Sequence, residues 1–197
     1  VYEKNAPTVD GSIFSLNIPI LGLCYGHQLI AHLLGGAVAS GEIKEYGLAA
    51  LTVIGKSPIF AGVKPQTQVW MSHGDVVARL PRGFKHLGQT FDCKFASMGD
   101  LKRRIFSAQF HMEVTHTGEG MKMLDNFLKI CRCKREWNAQ RFLKEKIKQM
   151  SSLADGRSVF MLVSGGVDST VAYCLLSKTF GSKRVYGLFV DTGLLRK

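Results

Sequence analysis

Apolar and polar positions along the chain divide it into short elements. A continuous apolar run over 18–23 predicts a buried strand, and 28–34 predicts a helix stopped by Gly35-Gly36. Runs over 47–54 and 68–71 predict two more strands, the second leading into Ser72-His73-Gly74-Asp75. Further short strands are expected over 83–90, 95–97 and 104–110. Met121, Leu124, Phe127, Leu128 and Cys131 recur at helical spacing, so 120–131 predicts an amphipathic helix. A second helix over 137–150 sets Phe142, Leu143, Ile147 and Met150 among lysines, and Ala154-Asp155-Gly156 breaks it. Beyond it come an apolar strand over 158–163, a Gly-rich turn over 164–169, a buried helical stretch over 170–176 and a strand over 184–191. Residues 1–17 read as loop, with turn signals at Ala6-Pro7 and Asp10-Gly11. Strands alternating with helices predict an α/β fold with an open, mostly parallel sheet.

Composition narrows this picture only a little. Apolar residues make up 46% of the 197, an ordinary share for a globular chain. No apolar run reaches the ~20 residues that a membrane-spanning helix needs. The net charge is +11, and nine Lys/Arg lie between Lys122 and Lys148, so much of the excess is local to the helices there. No aromatic-interleaved RNA-binding signature accompanies them, and nucleic acid is not expected as a partner. The five cysteines, Cys24, Cys93, Cys131, Cys133 and Cys174, are odd in number and irregular in spacing. Without a secretory signal, they predict reduced thiols and a cytoplasmic location. Val1 is no initiator and Leu194-Leu195-Arg196-Lys197 follows a strand directly, so the expectation is a cut at both ends of a longer chain.

Candidate chemistry falls in two places. Gly22-Leu23-Cys24-Tyr25-Gly26 stands between a strand and a helix, as a cysteine version of the G-x-S-x-G nucleophile elbow. The turn lifts Cys24 above the sheet, the helix start is expected to lower its pKa, and the N–H of Tyr25 is placed to stabilise an oxyanion. The alternative is a buried structural cysteine. Phe110-His111-Met112-Glu113 supplies a base: two residues apart on extended backbone, His111 and Glu113 share a face, so the carboxylate can orient the imidazole toward Cys24. His27, His32 and His86 read as ordinary histidines. A metal on His111, Glu113 and His116 does not fit the H-E-x-x-H spacing.

The second place is Ser164-Gly165-Gly166-Val167-Asp168-Ser169. A strand entering a Gly-rich turn and then a helix points backbone N–H groups at a phosphate. The loop has no P-loop lysine, but adds Asp168, suited to Mg²⁺, and two serine hydroxyls.

Together G-L-C-Y-G-H-Q, W-M-S-H-G-D and F-H-x-E-V resemble the class I (triad) glutamine amidotransferases. That resemblance implies Cys24 as nucleophile, His111 as base and Glu113 as its orienter, with Gln28, Ser72 and His73 lining the glutamine pocket. Met112 stands where the family usually has proline, which would loosen the His–Glu geometry, and the family's Gly-Gly-Pro oxyanion loop would fall just before Val1. The S-G-G-x-D-S loop resembles the ATP pyrophosphatases, which cleave ATP between the α- and β-phosphates. That implies ATP as co-substrate on Ser164, Gly165, Gly166, Val167, Asp168 and Ser169, Mg²⁺ on Asp168, and Val190 against the adenine. Asp191 would assist the metal or cap the turn after it, the second being favoured.

The order of the two motifs resembles the glutamine-hydrolysing GMP synthase family. It divides the chain into an amidotransferase domain (1–133), a linker helix (134–156) that would govern the approach of the two centres, and the first strand–loop–helix–strand of an adenine nucleotide alpha hydrolase-like, Rossmann-like domain (157–197). The implied substrates are glutamine, ATP and xanthosine monophosphate (XMP). XMP binding and homodimerisation would belong to a C-terminal part outside the chain, so residues 1–197 alone would make little or no GMP. Other readings are another glutamine-dependent ligase, an RNA-thiolating enzyme with the same loop, or a non-catalytic nucleotide-binding fragment.

Overall fold

The computed structural model describes residues 1–134, 136–153, 156–191 and 193, apart from the side chain of Glu42. The helix breaker at Ala154-Asp155, Thr192 and the stretch Leu194 to Lys197 lie outside the described residues. The chain forms two compact units, Val1–Cys133 and Lys134–Lys197.

The first unit is built on a six-stranded sheet: β1 (Ile20–Leu23), β2 (Ala37–Val53), β3 (Gln66–Arg79), β4 (Lys85–Gln89), β5 (Ser97–Asp100) and β6 (Ile105–Ala108), in the order β1-β6-β5-β4-β2-β3. The α/β class is met with a mixed sheet. β1 runs parallel to β6 from Ile20↔Ile105 to Leu23↔Ala108, while β2/β3, β2/β4, β4/β5 and β5/β6 are antiparallel. The cause is the absence of an α-helix between β2 and β6, whose connections hold only the short 3-10 turn Pro58–Phe60; a chain that returns without a crossover helix pairs antiparallel. β2 and β3 are far longer than their apolar stretches over 47–54 and 68–71. Residues 37–46 mix small, apolar and charged side chains with no sustained alternation, and the pairing of 37–40 and 45–46 with β3 holds them in the sheet. A bulge between Ser40 and Glu45 then sets Glu45 opposite His73.

The helices α1 (Tyr25–Leu33) and α2 (Gly120–Ile130) join two buried clusters. In one, Leu51, Val69, Met71, Phe106, Phe110 and Met112 pack with Met123 of α2. In the other, Ile30 and Ala31 of α1 meet Val77, Met98 and Ile105. The neighbours Ile105 and Phe106 fall in different clusters, as side chains alternating across a strand must. Gly22 makes the β1–α1 join possible: a Cβ there would lie 2.5 Å from Ile30 Cδ1 and 2.6 Å from the Gly26 carbonyl oxygen.

In the second unit, α3 (Ala139–Ser151) starts at Asn138, whose side chain accepts the Arg141 N–H at 2.8 Å. β7 (Val159–Val163) and β8 (Val185–Phe189) pair in parallel around α4 (Val167–Phe180). Tyr173 of α4 lies over Gly187, where a Cβ would fall 2.7 Å from its ring. Among the described residues of this unit only Val185 is a buried hydrophobic.

Candidate active site

Cys24 stands between β1 and α1, with φ 51° and ψ −105°. Its N–H donates to Ala108 O at 2.8 Å, so the β1–β6 pairing continues to the turn itself. A non-glycine residue at positive φ is held by its surroundings, as in a nucleophile elbow. Gly22 supplies the close packing; a Cβ on Gly26 would meet nothing within 4 Å, so the helix start opens onto free space there.

The free edge of β3 gathers the rest. Carbonyls two residues apart on a strand point the same way. Ser72 O accepts from Cys24 Sγ at 3.5 Å, and Trp70 O accepts from the His111 N–H at 3.0 Å. The sheet thus curls until its last strand meets the ends of β1 and β6. His111 Nδ1 donates to Glu113 Oε1 at 2.6 Å, leaving Nε2 to take a proton. Among the described residues no hydrogen bond joins His111 to Cys24.

Met112, between the paired residues, is 1% exposed and belongs to the core. Thr117 Oγ1 donates to His111 O and accepts from Trp70 N. A Cβ on Gly120 would overlap the Met112 carbonyl. The segment carrying His111 and Glu113 is therefore fixed by side-chain burial and backbone contacts, and the loosening expected of Met112 is not seen.

The other pocket residues are divided. Gln28 donates from Nε2 to Asp75 O at 2.9 Å and to Gln109 Oε1 at 3.1 Å. Ser72 is exposed and meets Cys24 through its carbonyl. The imidazole of His73 is buried, with Nδ1 donating to Asp75 O and Nε2 at 3.1 Å from Glu45 Oε2. Tyr25 holds the first residues by donating its hydroxyl to Pro7 O at 2.6 Å, while its N–H faces the Cys24 sulfur and favours the thiolate.

Charge at the site departs from expectation in one respect. Burial pushes the Cys24 thiol up, the Tyr25 N–H and the Gln109 amide act against it, and Glu113 adds to the rise; the net direction is upward. The helix start alone predicted the reverse. It does stabilise the thiolate through Tyr25, but half-burial outweighs it. Burial also pushes the Glu113 carboxyl up, yet the hydrogen bond and charge of His111 and nearby N–H groups bring it below the usual range.

Sequence reasoning missed Gln109 and Glu45. Gln109 is fully buried, and its Nε2 lies 3.9 Å from Cys24 Sγ. It precedes His111 by two positions, a strand-period signal that could have marked it. Glu45 gave no signal, because the β2 bulge alone brings it to His73. Glu45, His73 and Cys93 hold their ligand atoms within 4.8 Å of one another, the one candidate metal set among the described residues. The set does not suit a cation. Thr90 Oγ1 already donates to Glu45 at 3.0 Å, and burial, then Glu45, pushes the Cys93 thiol up to about 12.

In the second unit the loop between β7 and α4 closes on its own hydroxyls. Ser169 Oγ accepts from Ser164 N at 3.2 Å, lies 3.1 Å from Ser164 Oγ and donates to Gly166 O at 3.1 Å. Gly165 has φ 79°, and Gly166 is the N-cap of α4, with Asp168 in the first turn. Val167 and Asp168 are exposed. Val190 continues β8 beside Ser164 by the Val163↔Phe189 register. Asp191 accepts from the Gly193 N–H at 2.8 Å, the turn-capping arrangement. The set suits a phosphate-bearing ligand with Mg²⁺: amides at a helix start, hydroxyls, and one exposed hard-oxygen donor in Asp168.

Residues 1–131 match the family described as glutamine amidotransferase class-I, and the chain belongs to that family. Its relatives make the comparison more specific. The GMP synthase [glutamine-hydrolyzing] of Clostridium novyi is 46% identical over 198 residues, 100% of this chain and 38% of the relative. That of Caldicellulosiruptor saccharolyticus is 44% identical, again over 100% of this chain and 39% of its own length. Among solved structures, a Thermoplasma acidophilum protein assigned as one component of a GMP synthase is 32% identical with a TM-score of 0.60, covering 68% of this chain and 65% of that one. The chain spans 33–39% of the length of the curated relatives it matches. Among the described residues no helix is long and apolar enough to cross a membrane.

Proposed function

We propose that this chain carries the glutamine-hydrolysing centre and the beginning of the ATP site of a GMP-forming ligase. The observation that carries the reading is the convergence of Cys24, in its positive-φ turn, and the His111–Glu113 pair on one edge of β3. Cys24 sulfur attacks the side-chain amide carbon of glutamine, and the Tyr25 N–H bonds the developing oxyanion. His111, oriented by Glu113, takes the thiol proton and returns it to the departing nitrogen. Ammonia leaves, and water then hydrolyses the glutamyl thioester to glutamate.

The ammonia would be used on XMP. In that half, the C2 oxygen of XMP attacks the α-phosphorus of ATP and pyrophosphate leaves; ammonia then displaces AMP to give GMP. The loop of Ser164 to Ser169 would hold the phosphates and Val190 the adenine. Asp168 would hold Mg²⁺, which when bound offsets charge on the departing pyrophosphate. Similarity to GMP synthases along the whole chain supports this half, as does the hydroxyl-lined turn. XMP binding and dimerisation would lie outside these residues, and a cytoplasmic location fits five free cysteines.

Thiol labelling tests the glutaminase half. Iodoacetamide should modify Cys24, a glutamine-analogue electrophile should protect it, and His111→Ala should slow modification by the analogue by about a hundredfold or more. An inert Cys24 would leave a nucleotide-binding fragment as the reading.

A further inference from the structure

Behind Cys24 runs a chain of buried polar groups in which every orientation is dictated. The Asp75 carbonyl can only accept, and it takes hydrogen bonds from His73 Nδ1 at 3.1 Å and Gln28 Nε2 at 2.9 Å. Gln28 must therefore present its NH₂ inward, and the same NH₂ donates to Gln109 Oε1 at 3.1 Å. With its oxygen so engaged, Gln109 presents its own NH₂ to Cys24 Sγ at 3.9 Å. An amide fixed this way can only donate, and a donor favours the thiolate over the thiol. The backbone of Gln109 bonds separately, its N–H donating to Ala96 O at 2.8 Å. The strand thus does not need this side chain, although a fully buried glutamine is unusual.

We propose that Gln109 is a positioning residue that holds the Cys24 thiolate, kept in donor orientation by Gln28 and the Asp75 carbonyl. The proposal rests on Cys24 being the nucleophile. The groups around Cys24 are the Tyr25 N–H from α1, the Ser72 carbonyl from β3 and, from the segment after β6, Gln109 itself, the carboxylate of Glu113 and its partner His111, the proposed base. Of these, Gln109 is the side chain that donates to the sulfur. A merely structural glutamine would affect stability and leave thiol chemistry alone, which makes the two roles separable.

The experiment is the pH dependence of Cys24 alkylation by iodoacetamide in the 197-residue chain, read by mass spectrometry of the Cys24 peptide so that the other four thiols do not interfere. Gln109→Met keeps the volume and removes the donor. It should raise the alkylation midpoint by about one pH unit, lowering the thiolate fraction near neutrality about tenfold. Gln109→Glu puts a carboxylate at the same place and should raise it further. Gln28→Met frees Gln109 to turn over and should shift the midpoint in the same direction by less. An unchanged midpoint in Gln109→Met with a native melting profile overturns the proposal while leaving the glutaminase reading intact. Should Gln109→Met not fold, Gln28→Met decides: no upward shift overturns the proposal equally. Failure of Cys24 to react at any pH in the unsubstituted chain removes the nucleophile, and both readings fall together.

Discussion

The chain uses the same local device twice, a strand running through a tight turn into a helix, and secures it in two different ways. At β1–Cys24–α1 the turn is locked by tertiary packing: Gly22 lies under Ile30, Cys24 is bonded to Ala108, Ser72 and Gln109, and the helix buries His27, Gln28, Leu29, Ile30 and Ala31. At β7–loop–α4 the turn is held by its own hydroxyls, and α4 has no buried residue. The contrast follows from the chemistry proposed for each. A nucleophile must be held at one angle against a carbonyl carbon, so its turn is built into a core. A phosphate is met by many weak donors on a backbone arc, and such a turn can be preset locally with its donors left toward solvent.

If the first turn is part of a core, acid should undo it first. His27 of α1 is fully buried, with Nδ1 at 2.8 Å from Ser107 Oγ, and burial lowers its pKa to about 3 from 6.5. Its folded value lies below its unfolded one, so the unfolded state binds the extra proton between the two. The contribution is full above pH 6.5 and is lost as pH falls toward 3. By the lower end it amounts to roughly 4 kcal/mol, larger than any other effect expected here. The depressed carboxyls of Asp100 and Glu113 act in the same direction. Melting temperature against pH should therefore fall steeply through this window, and His27→Gln should flatten the slope. An equal slope in the variant would place the acid response elsewhere.

What the sequence made legible divides along the same line. The elbow, the His111–Glu113 pair and the S-G-G-x-D-S loop are local patterns, and each forms as a local unit should. Residues brought in by the sheet were not legible. Glu45 reaches His73 only because of the bulge in β2, and Gln109 gains its meaning from Gln28, 81 positions away. The direction of the Cys24 shift was misread for the same reason: a helix start can be seen in five residues, while the burial that outweighs it depends on β3 and the segment after β6. Met112 carries the clearest lesson. Proline would fix that turn through φ; here a buried side chain and the Gly120 approach fix it through packing, which no local pattern reveals.

A smaller effect separates the glycines of the two turns. Gly22→Ala places a methyl 2.6 Å from the Gly26 carbonyl oxygen, where backbone must move. It should destabilise the first unit by about 2–3 kcal/mol, measured by urea unfolding. At Gly166 an added methyl meets only Ser164 Oγ at 3.5 Å, an ordinary contact. Gly166→Ala should therefore stay within about 0.5 kcal/mol of the unsubstituted chain. Equal costs at the two sites would mean that the second turn, too, is built against something rigid.

The smallest effect tests whether the second turn is preset at all. Ser169 Oγ joins three partners, the Ser164 N–H, the Ser164 hydroxyl and the Gly166 carbonyl. Ser169→Ala removes all three, but the loop is exposed and water replaces them, so the loss should stay below about 1 kcal/mol. Its signature is local: amide exchange at Ser164 and Gly166 should quicken about fivefold at most, while exchange across β1 and α1 is unchanged. Inorganic pyrophosphate with Mg²⁺, added to the unsubstituted chain, should slow the same two amides if the loop is the phosphate seat proposed. The hydroxyls would then exchange partners from one another to the ligand. Exchange at Ser164 and Gly166 insensitive to both the substitution and the ligand would show that the loop geometry comes from the backbone alone, and the distinction between a turn held by a core and a turn held by its hydroxyls would fail on the second side.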